Sequence, residues 1–242
     1  MSSFSTKIGI VQTKILNMNT RLKNLIRYTL CLLCCAVFNK SFGQDFPFYK
    51  EILAFKKQDS TSFPLKHSIL FVGSSSFTNW KDVQDYFPEQ TIINRGFGGS
   101  SFPDLIRYYG EVIFPYKAKQ VVIYCGENDL AASDTVTAQL VFQRFKQLFT
   151  IIRKNDPSVS LAFVSIKPSP SRRHLWPKVI AANQLIKNYL STKKKTAFID
   201  VYLPMLNKNG IVKSEIFLED SLHMNAKGYK IWQKKIKPYL IK

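Results

Sequence analysis

Short apolar runs alternate with amphipathic segments along most of the chain. The runs are rich in β-branched and aromatic residues and lie at positions 69–72, 91–94, 120–124, 160–166 and 196–201. They are apolar throughout and do not alternate with polar positions, which is typical of strands buried on both faces of a parallel sheet. We therefore predict a buried parallel sheet of about five strands.

Helical periodicity fills several of the segments between these runs. Apolar residues from Val136 to Ile152 recur about every 3.6 positions, and the Asp-Pro pair at 156–157 predicts the end of that helix. A second helix is predicted to begin at Pro177 and a last one near Asn225, a favourable N-cap. Strands that alternate with helices predict an α/β fold, a three-layer α/β/α sandwich. In such folds ligands bind beyond the carboxyl ends of the strands.

The first 43 residues differ in composition from the rest. They carry six lysines and arginines and no acidic residue, and they contain an apolar run at 28–38. That run is too short to span a bilayer, which takes about 20 residues, and is typical of a secretory signal. We predict that residues 1–43 are a signal peptide cleaved near Gly43 and Gln44, with Met18 as an alternative start. An uncleaved signal anchor is the alternative.

This division predicts an exported protein, periplasmic or secreted. Residues 44–67 are predicted to be a lead-in segment with one or two amphipathic turns, and residues 68–242 to form the folded domain. Three of the four cysteines lie in the leader, which leaves Cys125 alone in the mature chain. We therefore expect neither an internal disulfide nor a metal site built from cysteines.

The chain is strongly basic. Its formal net charge is +19, and removal of the leader lowers this to +13 because six positive charges are lost. Such a charge is compatible with nucleic acid, anionic polysaccharide or a membrane surface. The charges are scattered, however, and nucleic-acid motifs are absent. We expect solvated faces, no nucleic-acid partner, and membrane contact only through an uncleaved leader.

Four polar segments carry candidate chemistry: residues 73–76 (GSSS), 94–99 (NRGFGG), 126–129 (GEND) and 220–223 (DSLH). The first three follow predicted strands, and the last precedes the final helix. Acyl transfer needs a serine activated by a base, most often an imidazole that a carboxylate orients. It also needs preorganised N–H donors for the oxyanion. A serine, a glycine, an asparagine and an Asp–His pair supply these parts, so the sequence predicts acyl-ester chemistry.

In content and order these segments resemble the four signature blocks of the SGNH hydrolases, the GDSL-like lipase and acylhydrolase superfamily. The resemblance implies a flavodoxin-like fold and hydrolysis of carboxylic esters or thioesters in an open groove, without cofactor or metal. Block by block, it implies Ser75 as the nucleophile, His223 as the base and Asp220 as the partner of His223. It also implies an oxyanion hole formed by Ser75, Gly99 and Asn128.

One position departs from the family pattern. Ser74 stands where the commonest first block, Gly-Asp-Ser, has an aspartate, so three serines run consecutively. Alignment on Gly73 selects Ser75 as the nucleophile, and Ser76 is the alternative. An alternative role for Asp220 is to cap a local turn while another carboxylate serves the histidine.

The substrate is less constrained by the sequence. Trp80, Phe97, Arg172 and Trp176 are predicted to contact it, with core packing or a solvated basic loop as the alternatives. An exported enzyme meets glycans, so we expect a small-molecule or glycan ester with short O-acyl groups. A lysophospholipase or thioesterase with the same triad is one alternative, and a catalytically inactive glycan-binding protein is another.

Overall fold

The computed structural model describes residues 46–242. The predicted signal segment and its cleavage site lie outside the described residues. Within the described part, no helix combines the length and apolarity that crossing a membrane requires.

A five-stranded parallel sheet forms the centre of the domain. In chain order its strands are β1 (Ile69–Gly73), β2 (Ile92–Gly96), β3 (Gln120–Tyr124), β4 (Ser160–Val164) and β5 (Thr196–Ile199). Their order across the sheet is β2-β1-β3-β4-β5. Gly73 at the end of β1 lies opposite Gly96 and Tyr124, so the carboxyl ends of three strands meet there. The predicted α/β class and strand count are confirmed.

Helices cover both faces of the sheet. They are α1 (Tyr49–Thr61), α2 (Ser75–Thr78), α3 (Val83–Tyr86), α4 (Phe102–Arg107), α5 (Tyr109–Val112), α6 (Glu127–Ala131), α7 (Ala138–Asn155), α8 (Trp176–Ser191) and α9 (Ala226–Ile236). Short 3₁₀ turns lie at Phe114–Tyr116, Pro170–Leu175, Leu203–Met205, Ser214–Ile216 and Lys237–Tyr239. The three helices predicted from periodicity and capping are α7, α8 and α9. The Asn225 side chain caps α9 by accepting from the N–H groups of Lys227 and Gly228.

Two apolar cores result from the alternation of side chains along each strand. In β1, Leu70 and Val72 pack into the core beneath α4, α7 and α8, whereas Ile69 and Phe71 pack into the core beneath α2, α3 and α9. Every residue of β1 and β3 is buried. This double coverage is the reason that the strands read as continuous apolar runs.

Helix α1 is longer than the one or two turns expected for the lead-in segment. It spans 13 residues but buries only Ile52. Its carboxyl-terminal half is held by Asp59, which pairs with the buried Arg95 of β2 at 2.5 Å and accepts from Tyr116 Oη at 2.6 Å. These contacts join segments far apart in the chain, so the local hydrophobic pattern could not reveal them.

Candidate active site

The turn from β1 into α2 presents a serine at the edge of the sheet. Gly73 has φ +147°, and a Cβ at this position would lie 1.9 Å from the Tyr124 carbonyl oxygen, so only glycine fits. The Ser74 N–H donates to that oxygen at 3.0 Å. Ser75 then begins α2 and is partly exposed, whereas Ser76 is buried. The geometry favours Ser75 over Ser76 as the serine that a substrate can reach.

The glycine-rich loop after β2 lies beside this serine. A Cβ on Gly98 would be 4.0 Å from the Ser75 Cβ atom, and Gly99 has φ +84°, a left-handed conformation that glycine adopts without strain. Ser100 is fully buried, and its hydroxyl donates to the Gly73 carbonyl oxygen at 3.2 Å. The Phe97 N–H donates to the same oxygen at 2.9 Å, so the first two candidate segments are joined directly.

Asn128 in α6 presents a partly exposed amide to the same region. Its Nδ2 donates to the Ser100 carbonyl oxygen at 3.0 Å, and its Oδ1 accepts from Arg172 Nη1, also at 3.0 Å. The amide nitrogen carries two hydrogens, so one remains for another acceptor. The next residue, Asp129, is fully buried and accepts from the Phe102 N–H and from Arg144, which is a structural role.

The Asp-x-x-His segment forms a tight turn. Asp220 Oδ1 accepts from the N–H groups of Leu222 and His223, both at 2.9 Å, and Oδ2 accepts from His223 Nδ1 at 2.6 Å. The N–H of His223 is the largest of the causes that lower the pKa of Asp220 to about 2. Asp220 therefore both caps the turn and contacts the imidazole of His223.

Hydrogen bonds attach this turn to the rest of the site. The Ser171 N–H and hydroxyl both donate to the Ser221 carbonyl oxygen, at 3.1 and 3.0 Å, which ties the turn to the 3₁₀ segment that carries Arg172. From α9, Tyr229 Oη donates to the Ser76 carbonyl oxygen at 3.0 Å. All four candidate segments thus lie at one edge of the sheet, as predicted from strand topology.

One contact of the expected triad is open in this structure. Among residues 46–242, the Ser75 hydroxyl has no hydrogen-bond partner. The side chains of His223 and Asp220 are 25% and 47% exposed, so both lie at the protein surface.

A buried charged cluster beneath the site was not found from the sequence. Lys167 Nζ donates to Glu127 Oε2 and to Ser169 Oγ, both at 2.6 Å, and Tyr124 Oη donates to Glu127 Oε2 at 2.8 Å. Burial opposes the charge on Glu127, but the attraction of Lys167 and Arg172 outweighs it and lowers the Glu127 pKa. The only sequence signal was a lysine directly after an apolar strand.

The predicted substrate contacts divide into two groups. The prediction is wrong for Trp80 and Phe97, which are 0% and 1% exposed and belong to the two cores. Trp80 follows α2 and stacks on Tyr229 of α9 with ring centroids 4.8 Å apart. Arg172 does lie at the site, against Asn128. Trp176 is half-buried, and its Nε1 donates to the Ser169 carbonyl oxygen.

Phe48, at the amino end of α1, is a further residue at the site that the sequence did not reveal. Its ring lies 3.7 Å from the position that a Cβ on Gly99 would occupy and packs edge-on against Phe97 at 5.4 Å. The lead-in segment therefore forms a wall of the site beside the glycine-rich loop.

Metal-binding groups of three or more His, Cys, Asp or Glu side chains are absent from the described part of the chain. Cys125 is a buried free thiol.

Comparison with known proteins identifies the family of the chain. The GDSL-like Lipase/Acylhydrolase family matches residues 66–231, more than half of the chain. The protein therefore belongs to this family and is a carboxylic ester hydrolase. No curated protein matches the sequence.

Several solved structures share the fold. One from Streptococcus pneumoniae, described as a candidate platelet activating factor, has a TM-score of 0.70 at 19% identity and covers 89% of this chain and 99% of its own. A GDSL-like lipase from Bacteroides thetaiotaomicron has a TM-score of 0.66 at 21% identity, with 77% and 95% covered. An acetylxylan esterase from Geobacillus stearothermophilus has a TM-score of 0.58 at 14% identity, with 74% and 96% covered. The neighbours establish a common SGNH hydrolase fold.

Proposed function

We propose that the protein hydrolyses short-chain O-acyl esters through a covalent acyl-serine intermediate on Ser75. Ser75 Oγ attacks the acyl carbonyl carbon while His223 Nε2 takes the hydroxyl proton. The tetrahedral intermediate then expels the alcohol, which receives the proton from His223. A water molecule, deprotonated in turn by His223, attacks the acyl-enzyme, releases the carboxylic acid and restores Ser75.

The observation that carries this proposal is the pairing of His223 Nδ1 with Asp220 Oδ2 at 2.6 Å, in a turn that Ser171 ties to the 3₁₀ segment whose Arg172 contacts Asn128. Because Nδ1–H donates to the carboxylate, Nε2 is the nitrogen left to act as base. The ionised Asp220 also stabilises the imidazolium that forms during the reaction. The hydrogen bond between Ser75 and His223 would form as substrate binds, since catalytic hydrogen bonds are often long in free enzymes.

The oxyanion would be held by three donors. Ser75 and Gly99 would each contribute a backbone N–H group, and Asn128 would contribute its second amide hydrogen. Donors fixed before the reaction need no reorganisation as charge develops on the carbonyl oxygen. They therefore stabilise the transition state more than the bound substrate, which lowers the barrier.

Short acyl groups on a bulky alcohol, such as an O-acylated carbohydrate, fit the surroundings of this site best. His223 and Asp220 lie at the surface, which leaves room for a large alcohol, whereas the Phe48 ring beside Gly99 limits the acyl side. A structural neighbour is an acetylxylan esterase. The basic leader with its apolar run supports an exported location, where glycans are abundant.

A p-nitrophenyl ester series from acetate to decanoate tests the proposal on the full chain. We expect turnover highest with the shortest esters, falling to the buffer rate in Ser75→Ala and retained in Ser76→Ala, the matched control. Acetylated xylo-oligosaccharide and a lysophospholipid, offered side by side, then separate carbohydrate from lipid substrates. Turnover retained in Ser75→Ala would place the nucleophile elsewhere. Binding of the oligosaccharide without release of acetate, and no ester cleaved, would identify a non-catalytic binder.

A further inference from the structure

The Asn128 amide is held from both sides. Its nitrogen donates to the Ser100 carbonyl oxygen, and its oxygen accepts from the Arg172 guanidinium, each at 3.0 Å. If the amide rotated by 180°, its oxygen would face a carbonyl oxygen and its NH₂ group would face a cation. The two partners therefore fix the orientation of the amide and leave its second N–H free to donate to a ligand.

Arg172 is itself anchored below the site. Its Nη1 lies 3.7 Å from Glu127 Oε1, a buried oxygen without a hydrogen-bond partner in the described part of the chain. The other oxygen of that carboxylate is held by Lys167 and Tyr124. The arginine thus extends from its 3₁₀ turn toward a fixed, buried anion, and its side chain is only 21% exposed.

We propose that Arg172 is a positioning residue for the oxyanion hole. It holds the Asn128 amide so that the second N–H points at the developing oxyanion, and its charge polarises that amide. This inference rests on the proposed function, because it assumes that Asn128 donates to the oxyanion. The buried pair of Glu127 and Lys167 serves to keep the guanidinium in place.

The expected effect concerns the chemical step. Loss of one oxyanion donor lowers kcat by about 10²- to 10³-fold in serine hydrolases. Loss of its orienting partner leaves the donor present but misaligned part of the time. We therefore expect Arg172→Met to lower kcat about 10- to 100-fold with KM changed less than about twofold, because the contact matters mainly in the transition state.

The test is a double-mutant cycle on the full chain with p-nitrophenyl acetate, using Arg172→Met, Asn128→Ala and the double variant. If Arg172 acts through Asn128, its removal in the Asn128→Ala background lowers kcat by less than about twofold. Arg153→Met is the matched control, since Arg153 bonds the carbonyl oxygens of Lys194 and Lys195 at the opposite edge of the sheet. It should cost stability and leave kcat unchanged.

Circular dichroism and the melting temperature establish that each variant is folded. If Arg172→Met does not fold, Arg172→Lys keeps a cation beside Glu127 and is carried through the same cycle, with a smaller loss of kcat expected because an ammonium lacks the planar fork of guanidinium.

Three results would overturn the inference. The first is a folded Arg172 variant with unchanged kcat and KM, and the second is an equal loss of kcat with and without Asn128. The third is a raised KM with unchanged kcat, which would make Arg172 a substrate contact. Each of these leaves an active wild type that depends on Ser75. Failure of the proposed function looks different, because Ser75→Ala would then retain turnover or the wild type would cleave no ester.

Discussion

The buried ion pair between Lys167 and Glu127 should be a strong determinant of stability when one partner alone is removed. The two side chains are 2% and 5% exposed, and the Nζ–Oε2 distance is 2.6 Å. The perturbation is Lys167→Met, which keeps an unbranched side chain of similar length and removes the charge.

The magnitude follows from the distance and the burial. Unit charges 2.6 Å apart attract by about 6 kcal/mol at an effective dielectric constant of about 20. Desolvation of both ions offsets most of this attraction in the intact pair. In Lys167→Met the attraction is lost while Glu127 remains buried, a situation that costs about 3–5 kcal/mol. Arg172 still lies 3.7 Å from the carboxylate, so we expect the lower end, about 3 kcal/mol.

Urea denaturation followed by circular dichroism measures this cost. A loss of about 3 kcal/mol lowers the midpoint by about 1.5 M if the urea dependence is about 2 kcal/mol/M. The matched variant is Lys167→Met combined with Glu127→Gln, which removes both charges and retains an acceptor for Tyr124. We expect it to regain most of the stability, so the two substitutions are strongly non-additive. A single-variant loss below about 1 kcal/mol, or additive losses in the double variant, would refute the reasoning.

Two further predictions concern pH and acyl-chain length. The carboxylate of Asp220, with its pKa lowered to about 2, is protonated only as the pH falls through that value, so its support of His223 persists at higher pH. As the pH is lowered to about 3, kcat/KM should therefore fall through a single ionisation. A second ionisation between about pH 3.5 and 5 in this profile would contradict the assignment of Asp220. Phe48→Ala should raise kcat/KM for butyrate relative to acetate by about fourfold per methylene accommodated in the space beside Gly99. Phe63→Ala, whose ring stacks on Tyr116, is the control, and an unchanged ratio in Phe48→Ala would remove Phe48 from the acyl pocket.

Much of the fold was accessible from local patterns. The apolar runs predicted each strand to within two residues, and Asn225 was identified as the cap of the last helix because capping depends on adjacent backbone N–H groups. Helix α1 was underestimated, since it buries only Ile52 and its Asp59 pairs with Arg95 from a distant strand.

Aromatic residues near the site show the limit of local patterns. Trp80 and Phe97 flank the predicted catalytic segments, yet both point into the cores. Phe48, far away in the sequence, is the aromatic residue beside Gly99. Which face an aromatic side chain takes depends on how short helices and loops pack, and that packing leaves no local periodicity.

By itself, the sequence determined the strands, the helices α7, α8 and α9, the SGNH blocks and the edge of the sheet at which they meet. These follow from nearest-neighbour preferences, from the burial of strands and from the rule that parallel strands end on one side. Only the tertiary structure decided the partners of the charged residues: Lys167 with Glu127, and Arg172 with Asn128. A buried charge is stable only beside a compensating group, and that group is supplied by whichever distant segment the fold places there.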